Sequence, residues 1–227
     1  MSFGLPVSLA YSVVESASTL LSPLFGGAAT AAAIVLATAL VRLLLIPLTF
    51  RQIAVERRRA RLAPQVTTLR GKHRDDPLQA ATEVAALYRA EGVGALPTLL
   101  PLLVQAPFFL TLYSLFTAST VDGAPNALLG HALGGVPLGD HWRDGALLGV
   151  HGLVFAVVLG LFVVTATVTA RRLRRLGQPA WLSYIPFVSV VFAATVPLAA
   201  ALYLLTSTIW TTLENVLLRD RLIRPPA

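Results

Sequence analysis

Long uncharged segments alternate with short charged blocks along this chain. Segments 28–50, 95–117 and 145–170 are apolar, and each is long enough to cross a bilayer, which takes about 20 helical residues. Segment 28–50 contains one charged residue, Arg42, and the other two segments contain none. These three segments are predicted to be transmembrane helices.

A fourth uncharged stretch, 179–213, is too long for one span. As a single helix it would measure about 50 Å, against a hydrocarbon core of about 30 Å. A break near Thr195-Val196-Pro197 would divide it into short spans at about 180–195 and 197–213, because proline interrupts helical hydrogen bonding. Short spans are accommodated by local thinning of the bilayer. The sequence therefore predicts an all-α integral membrane protein with five transmembrane helices.

The basic residues test this prediction independently, because cytoplasmic loops carry an excess of lysine and arginine. Of the 18 Lys and Arg residues, none lies in 1–27, nine lie in 51–94, one in 118–144, four in 170–180 and three after Leu213. Sixteen of them fall on one side of a five-span chain. The predicted location is therefore the cell membrane, with the N-terminus outside and the C-terminus in the cytoplasm.

The two ends of the chain are expected to lie outside the bilayer. Residues 1–27 have no basic residue before their apolar run, and Glu15 interrupts that run. They are therefore expected to be retained as an extracytoplasmic segment with a candidate interfacial helix. Residues 218–227 are expected to form a short basic cytoplasmic tail.

Loop 51–94 is too long for a simple connector and is patterned as two helices. Asp76 suits a helix N-cap, and Pro77 suits the first helical position after it. The loop is therefore predicted to be a basic cytoplasmic helical hairpin between the first and second spans. The apolar stripe of its second helix is predicted to comprise Leu78, Ala81, Ala85 and Tyr88.

Arg42 is the strongest functional signal. Taking Arg51 as the cytoplasmic boundary, Arg42 lies about 13 Å deeper at helical rise, which exceeds what a snorkelling side chain recovers. A charge at this depth implies water or a partner and marks a candidate site. Other hydroxyl and amide groups fall on shared faces of the predicted spans, where they suit either a hydrophilic cavity or ordinary helix–helix contacts: Thr38, Thr49, Thr98, Gln105, Thr208 and Thr212.

The sequence offers no recognisable catalytic chemistry. It has no cysteine, no G-x-S-x-G motif, no metal-ligand spacing among its four histidines and no paired carboxylates in the predicted spans. We therefore expect no catalytic residue, no cofactor and no metal site, and we do not expect an enzyme. A basic block in the hairpin suits topology and anionic lipid headgroups, or alternatively ribosomal RNA: Arg57, Arg58, Arg59 and Arg61.

Five runs of the chain carry a resemblance: Val41–Thr49, Leu87–Val93, Leu100–Phe109, Tyr184–Phe187 and Leu202–Trp210. They are similar to the core helices of the YidC/Oxa/Alb family of membrane protein insertases, and the resemblance covers about residues 28–217. The family commonly has a tryptophan directly after the tyrosine of its last helix, where this chain has Leu204.

The resemblance implies a five-helix insertase core over 28–217. Arg42 and Gln105 would line a hydrophilic groove that opens to the cytoplasm and lipid, is closed outside, and has the helical hairpin over its mouth. The implied function is an insertase and chaperone for few-spanning proteins, driven by partition of the client's own apolar helix. The expected partners are nascent membrane proteins and anionic lipids, with a Sec translocon and the ribosome as candidates, and a monomer is expected to suffice.

A secondary transporter that binds a small anionic substrate at Arg42 is the alternative function. A transporter is expected to show paired broken helices and internal repeats. This chain instead has one charged residue in its predicted spans and a long hairpin. These features favour the insertase.

Overall fold

The computed structural model describes residues 4–93, 95–146 and 148–219, and for 95–105 the backbone alone. The described chain is mostly helical. Its helices are α1 (Gly4–Phe25), α2 (Ala29–Leu44), α3 (Ile46–Lys72), α4 (Pro77–Ala90), α5 (Ala95–Thr117), α6 (Val150–Arg175), α7 (Ile185–Ala193) and α8 (Leu198–Glu214).

Short elements connect or extend these helices. Single 3₁₀ turns are formed by Gly26–Ala28, Ala127–Gly130 and Ala180–Tyr184, and a π-helical turn, Asn215–Arg219, follows α8. Two antiparallel ribbons lie between α5 and α6, formed by β1 (Thr120–Val121) with β2 (Ala124–Pro125) and by β3 (Ala132–Leu133) with β4 (Val136–Pro137).

The chain forms two compact units. The first comprises Met1–Leu43 and Phe108–Leu213, and the second comprises Leu44–Pro107 and Glu214–Ala227. The boundary near Leu43 falls inside the first predicted span, because α2 ends at Leu44 and α3 begins at Ile46. Pro47 has no backbone N–H to continue the helical hydrogen bonds of α2, which explains the interruption.

The core of the first unit combines large side chains with small residues. At the start of α8, Ala199, Ala200 and Ala201 are at most 1% exposed. Small residues let helix backbones approach closely, which is the usual means of packing helices in membranes. Large side chains of the same core are completely or almost completely buried, namely Ile34, Leu115, Phe116, Phe155, Phe162 and Leu198.

Helices α1 and α2 meet at a turn. The hydroxyls of Ser18 and Thr30 are 2.7 Å apart, whereas the same residues in one straight helix would be separated by about 18 Å. The chain therefore turns between them, and Gly26 has a φ of +51°, which glycine adopts readily. The segment predicted as a possible interfacial helix is thus part of α1, with Val14 and Ser18 buried.

The loop between α5 and α6 is folded around its two ribbons. Both ribbons turn through two residues of positive φ, Asp122-Gly123 and Gly134-Gly135. This pattern is typical of the type I′ turns that join antiparallel strands. The loop is therefore a structured element, and Leu128, Val136 and Leu138 of this loop are buried in the core of the first unit.

The α5–α6 loop also supplies hydrogen-bond partners to the ends of two helices. Asn126 Nδ2 donates to the carbonyl oxygens of Leu115 and Ala118 at the end of α5, at 2.8 and 3.0 Å. At the start of α8, the N–H of Leu198 donates to the Asp140 carbonyl at 2.9 Å. The N–H of Ala199 similarly donates to the carbonyl of Leu138 at 2.8 Å. Helix ends leave such backbone groups without partners, so the loop completes both helices.

The helical hairpin belongs to the second unit. Asp76 caps α4 by accepting a hydrogen bond from the Gln79 N–H at 2.9 Å, and Pro77 is the first helical residue, which confirms both assignments. The predicted apolar stripe of α4 is not the face that the structure buries. Leu78 is 80% exposed, and the buried residues are Ala80 and Val84.

Two described helical stretches, Leu5–Leu44 and Val150–Arg175, are long and apolar enough to cross a bilayer by length and composition. Two shorter stretches, Ala106–Thr117 and Ala180–Ala193, are also apolar. Helix α7 ends and α8 begins on either side of the predicted break near Thr195–Pro197. That the chain crosses the membrane five times stays a prediction.

Candidate functional site

Arg42 lies in the last turn of α2, where it contacts α8. Its side chain is half-buried, and Nε donates a hydrogen bond to Ser207 Oγ at 3.2 Å. Nη2 donates to the same oxygen. The carbonyl end of a helix carries partial negative charge, so a cation is favoured in the last turn. The guanidinium is thus held between two helices of the first unit, α2 and α8.

Aromatic side chains lie one turn from this contact. Tyr203 precedes Ser207 by one turn of α8, and its ring is 6.0 Å from that of Phe109 and 6.2 Å from that of Phe116. Tyr203 is buried, as is Leu205. Apolar and aromatic side chains therefore lie next to the Arg42–Ser207 contact, towards the N-terminus of α8.

The predicted threonines of the first unit bond mainly to their own helices. Thr38 is 2% exposed and donates to the Ile34 carbonyl at 2.7 Å. Thr208 and Thr212 are half-buried and donate to carbonyls one turn earlier, at 2.8 and 2.9 Å. The hydroxyls of Thr212 and Thr169 are also 3.4 Å apart. A hydroxyl that donates to its own backbone keeps its oxygen as an acceptor.

The remaining predicted site residues lie elsewhere. Thr49 belongs to the second unit, where it is buried and donates to Glu214 Oε1 at 3.3 Å. The side chains of Thr98 and Gln105 lie outside the part of the chain that the structure describes. Of the predicted groove residues, the structure therefore places Arg42, Thr38, Thr208 and Thr212 in one unit.

Ser207 is the site residue that the sequence did not single out. It stands in a run of three hydroxyl residues, Thr206-Ser207-Thr208, and the predicted polar face of the last helix passed through Thr208 instead. One residue corresponds to about 100° of rotation around a helix. The run of hydroxyl residues indicated a polar face, but only the packing of α8 against α2 shows that Ser207 is the residue that contacts Arg42.

The chemistry available at Arg42 is electrostatic and hydrogen-bonding. The site offers a fixed positive charge and hydroxyl oxygens in an apolar setting, which suits attraction of acidic or hydrogen-bond-accepting groups. Within residues 4–93, 95–146 and 148–219, no group of three or more His, Cys, Asp or Glu side chains could hold a metal ion.

Comparison with known proteins identifies the family of this chain. The family model described as "60Kd inner membrane protein" matches residues 20–224, which include α2 through α8. The chain belongs to this family. The predicted resemblance of its core helices to this family of insertases is confirmed.

Three proteins similar to this chain are named membrane protein insertase YidC. The protein from Streptomyces avermitilis is 28% identical over 200 residues, covering 76% of this chain and 47% of the relative. The protein from Clostridium perfringens is 36% identical over 98 residues, covering 43% and 41% respectively. The protein from Caulobacter vibrioides is 34% identical over 87 residues, covering 38% of this chain. In each case the matched region spans less than half of the relative.

Proposed function

We propose that this chain is a membrane protein insertase and chaperone that integrates few-spanning proteins into the cell membrane. The contact of Arg42 with Ser207 carries the proposal, because it fixes a guanidinium between α2 and α8 in otherwise apolar surroundings. The relatives named YidC support the same function and favour it over an anion transporter.

The proposed mechanism lowers the cost of moving hydrophilic segments across hydrocarbon. Polar groups lose their hydrogen bonds to water when they enter a bilayer. A hydrated groove shortens the apolar distance, and short spans that thin the membrane shorten it further. We assign to the groove five residues of the first unit, Arg42, Ser207, Thr38, Thr208 and Thr212. Thr49, Thr98 and Gln105 stay sequence-based predictions.

In this mechanism Arg42 attracts acidic parts of the client, and the client's own apolar helix supplies the driving force by partitioning into lipid. Nascent membrane proteins are the proposed substrates. Anionic lipids, a Sec translocon and the ribosome are the proposed further partners, and the monomer is the proposed working form. No cofactor is assigned.

We also propose five spans, with the N-terminus outside and the α3–α4 hairpin and C-terminus in the cytoplasm. The chain has no cysteine, so single cysteines at exposed positions give an unambiguous test. Ser22→Cys and Asp122→Cys should react with an impermeant reagent in intact cells, whereas Arg70→Cys and Gln178→Cys should react only after permeabilisation. Labelling of Gln178→Cys from outside would contradict this topology.

The insertase proposal is tested by rescue of cells depleted of their resident insertase. Wild-type chain should restore membrane integration of a client with an acidic translocated segment, and Arg42→Ala should lower it by about tenfold or more, as expected for lost electrostatic attraction. Arg42→Lys should retain much of the activity, because long-range attraction needs charge rather than a planar fork.

Arg171→Ala is the matched control, because it removes an exposed arginine near the end of α6 and should leave insertion unchanged. Equal insertion by wild type and Arg42→Ala at equal protein levels would refute the role of the charge. Failure of well-expressed wild-type chain to rescue any client would refute the insertase function.

A further inference from the structure

The basic block of the hairpin is not one uniform charged surface. Arg58 and Arg61 are exposed to solvent, as expected for residues that meet lipid headgroups or nucleic acid. Arg59 is half-buried, and its guanidinium points to the end of α4 rather than into solvent. Arg59 therefore makes a contact within the hairpin.

Arg59 contacts the junction between α4 and α5 through two of its nitrogens. Nε and Nη2 lie 3.4 and 3.2 Å from the carbonyl oxygen of Val93, to which both donate hydrogen bonds. The guanidinium carbon also lies 5.4 Å from the centre of the Tyr88 ring, within the range of a cation–π interaction. One side chain of α3 thus holds both the last turn of α4 and the residues that follow it.

The junction is a defined turn. Val93 is completely buried, and its N–H donates to the Tyr88 carbonyl at 2.8 Å. Gly92 has a φ of +67°, the left-handed conformation that ends many helices. The Val93 carbonyl follows this turn, and α5 begins at Ala95. The Arg59 contact therefore fixes the point at which the hairpin leads into α5.

A planar guanidinium suits this position better than an ammonium. Its nitrogens can donate in parallel to one oxygen while its face lies over an aromatic ring, and a lysine cannot do both in the same geometry. A role that needed charge alone would be served equally by lysine, as at many surfaces that bind phosphate. The geometry therefore separates a positioning role from a headgroup-binding role.

We propose that Arg59 is a positioning residue that holds the α4–α5 junction against α3, and that the hairpin handles clients only while this contact is made. The second part rests on the proposed insertase function. Arg58 and Arg61 then supply surface charge, and Arg59 fixes the position of the α4–α5 junction.

Hydrogen–deuterium exchange of the full chain in detergent micelles tests the positioning role without reference to activity. Arg59→Ala should speed exchange across residues 88–93 by about tenfold, as expected for loss of a hydrogen bond from a charged donor. Arg59→Lys should lie close to Arg59→Ala, and the exposed Arg61→Ala should stay within about twofold of wild type. Unchanged protection of this segment in Arg59→Ala would overturn the proposal.

Client insertion in depleted cells tests the second part. At equal protein levels, Arg59→Ala and Arg59→Lys should both lose most of the insertion that wild type supports, whereas Arg61→Ala should retain it. Full rescue by Arg59→Lys would overturn the positioning role in favour of charge. Normal insertion with a loosened junction would overturn the functional part and leave the insertase proposal intact. A wild-type chain that inserts nothing would refute the insertase proposal, while exchange would still decide the role of Arg59.

Discussion

The α5–α6 loop and the α3–α4 hairpin are held in place by different chemistry. The loop completes helix ends with uncharged groups, namely the Asn126 amide and the carbonyls of Leu138 and Asp140. The hairpin is held at its two ends by charged or titratable side chains. Arg59 contacts Val93 and Tyr88 at one end, and His73 Nε2 lies 3.0 Å from Glu83 Oε1 at the other.

The difference indicates how easily each segment can be released. Breaking the loop contacts would leave buried backbone groups without partners, which is expensive inside a core. The hairpin contacts involve partly exposed side chains that water can solvate once they separate, so opening it costs less. We therefore expect the loop to be part of the fold, and we expect the fold to persist when the hairpin is removed.

The largest expected effect comes from removing the second helix of the hairpin. Replacing residues 77–91 with a flexible linker of the same length should leave the chain in the membrane and abolish client insertion, because the first unit contains none of the replaced residues. Membrane fractionation and the depletion assay measure the two outcomes separately. The matched replacement of residues 120–125 in the α5–α6 loop should instead lower the amount of folded protein. Loss of the hairpin-replaced protein would make the hairpin structural as well.

The next largest effect is expected at Asn126. Asn126→Ala leaves the carbonyls of Leu115 and Ala118 without their amide donor, which should cost about 1–3 kcal/mol and lower the Tm by about 2–4 °C for each kcal/mol. Thermal unfolding of the purified chain in micelles measures the shift. Asp122→Asn is the control, because the residue is exposed and asparagine tolerates its positive φ. Equal Tm values for wild type and Asn126→Ala would contradict the idea that the loop completes α5.

A smaller effect is expected where the α5–α6 loop meets α1 and α2. Thr30 Oγ1 lies 2.7 Å from Ser18 Oγ and 2.5 Å from His131 Nδ1, so it links three segments of the first unit. Thr30→Val keeps the shape and removes the hydroxyl, which should destabilise the fold by about 1 kcal/mol. In a double-mutant cycle with Ser18→Ala, the combined loss of stability should be less than the sum of the single losses. Strict additivity would mean that the hydrogen bond contributes nothing.

The smallest effect concerns pH and is confined to the end of the α5–α6 loop. The backbone N–H of His141, 2.7 Å from Asp144 Oδ2, holds the pKa of the Asp144 carboxyl below its usual value, with help from the His141 side chain. A lowered pKa in the folded state means that the carboxylate stabilises the turn above its unfolded pKa of about 3.9, and that the stabilisation is lost as pH falls further. Proteolysis of the loop below pH 4 should therefore speed up in wild type and be independent of pH in Asp144→Asn, and equal pH profiles would contradict this assignment.

Features with a local cause were predictable from the sequence. Asp76 and Pro77 start α4 because a short acceptor side chain and a fixed φ suit a helix N-terminus in any surroundings. The interruption around Pro197 follows equally from the missing N–H of proline. Arg42 was identifiable because a charge deep in an apolar segment needs a specific environment.

Features that depend on which helices meet were not predictable. Alanines lie all around α4, so periodicity did not distinguish the face of Ala80 and Val84 from that of Leu78 and Ala81. Ser207 and Thr208 are neighbours in sequence but face different directions, and only the packing of α8 selects Ser207 as the partner of Arg42.

The contacts at the start of α8 have a consequence for the biogenesis of this protein. A ribosome makes the carbonyls of Leu138 and Asp140 well before the N–H groups of Ala199 and Leu198 that donate to them. The α5–α6 loop can thus form a docking site before the final helix emerges, and that helix completes the bundle by occupying it. A chain truncated just before Leu198 and released from the ribosome would leave those two carbonyls without their donors from α8, so it represents the state before the last step of assembly.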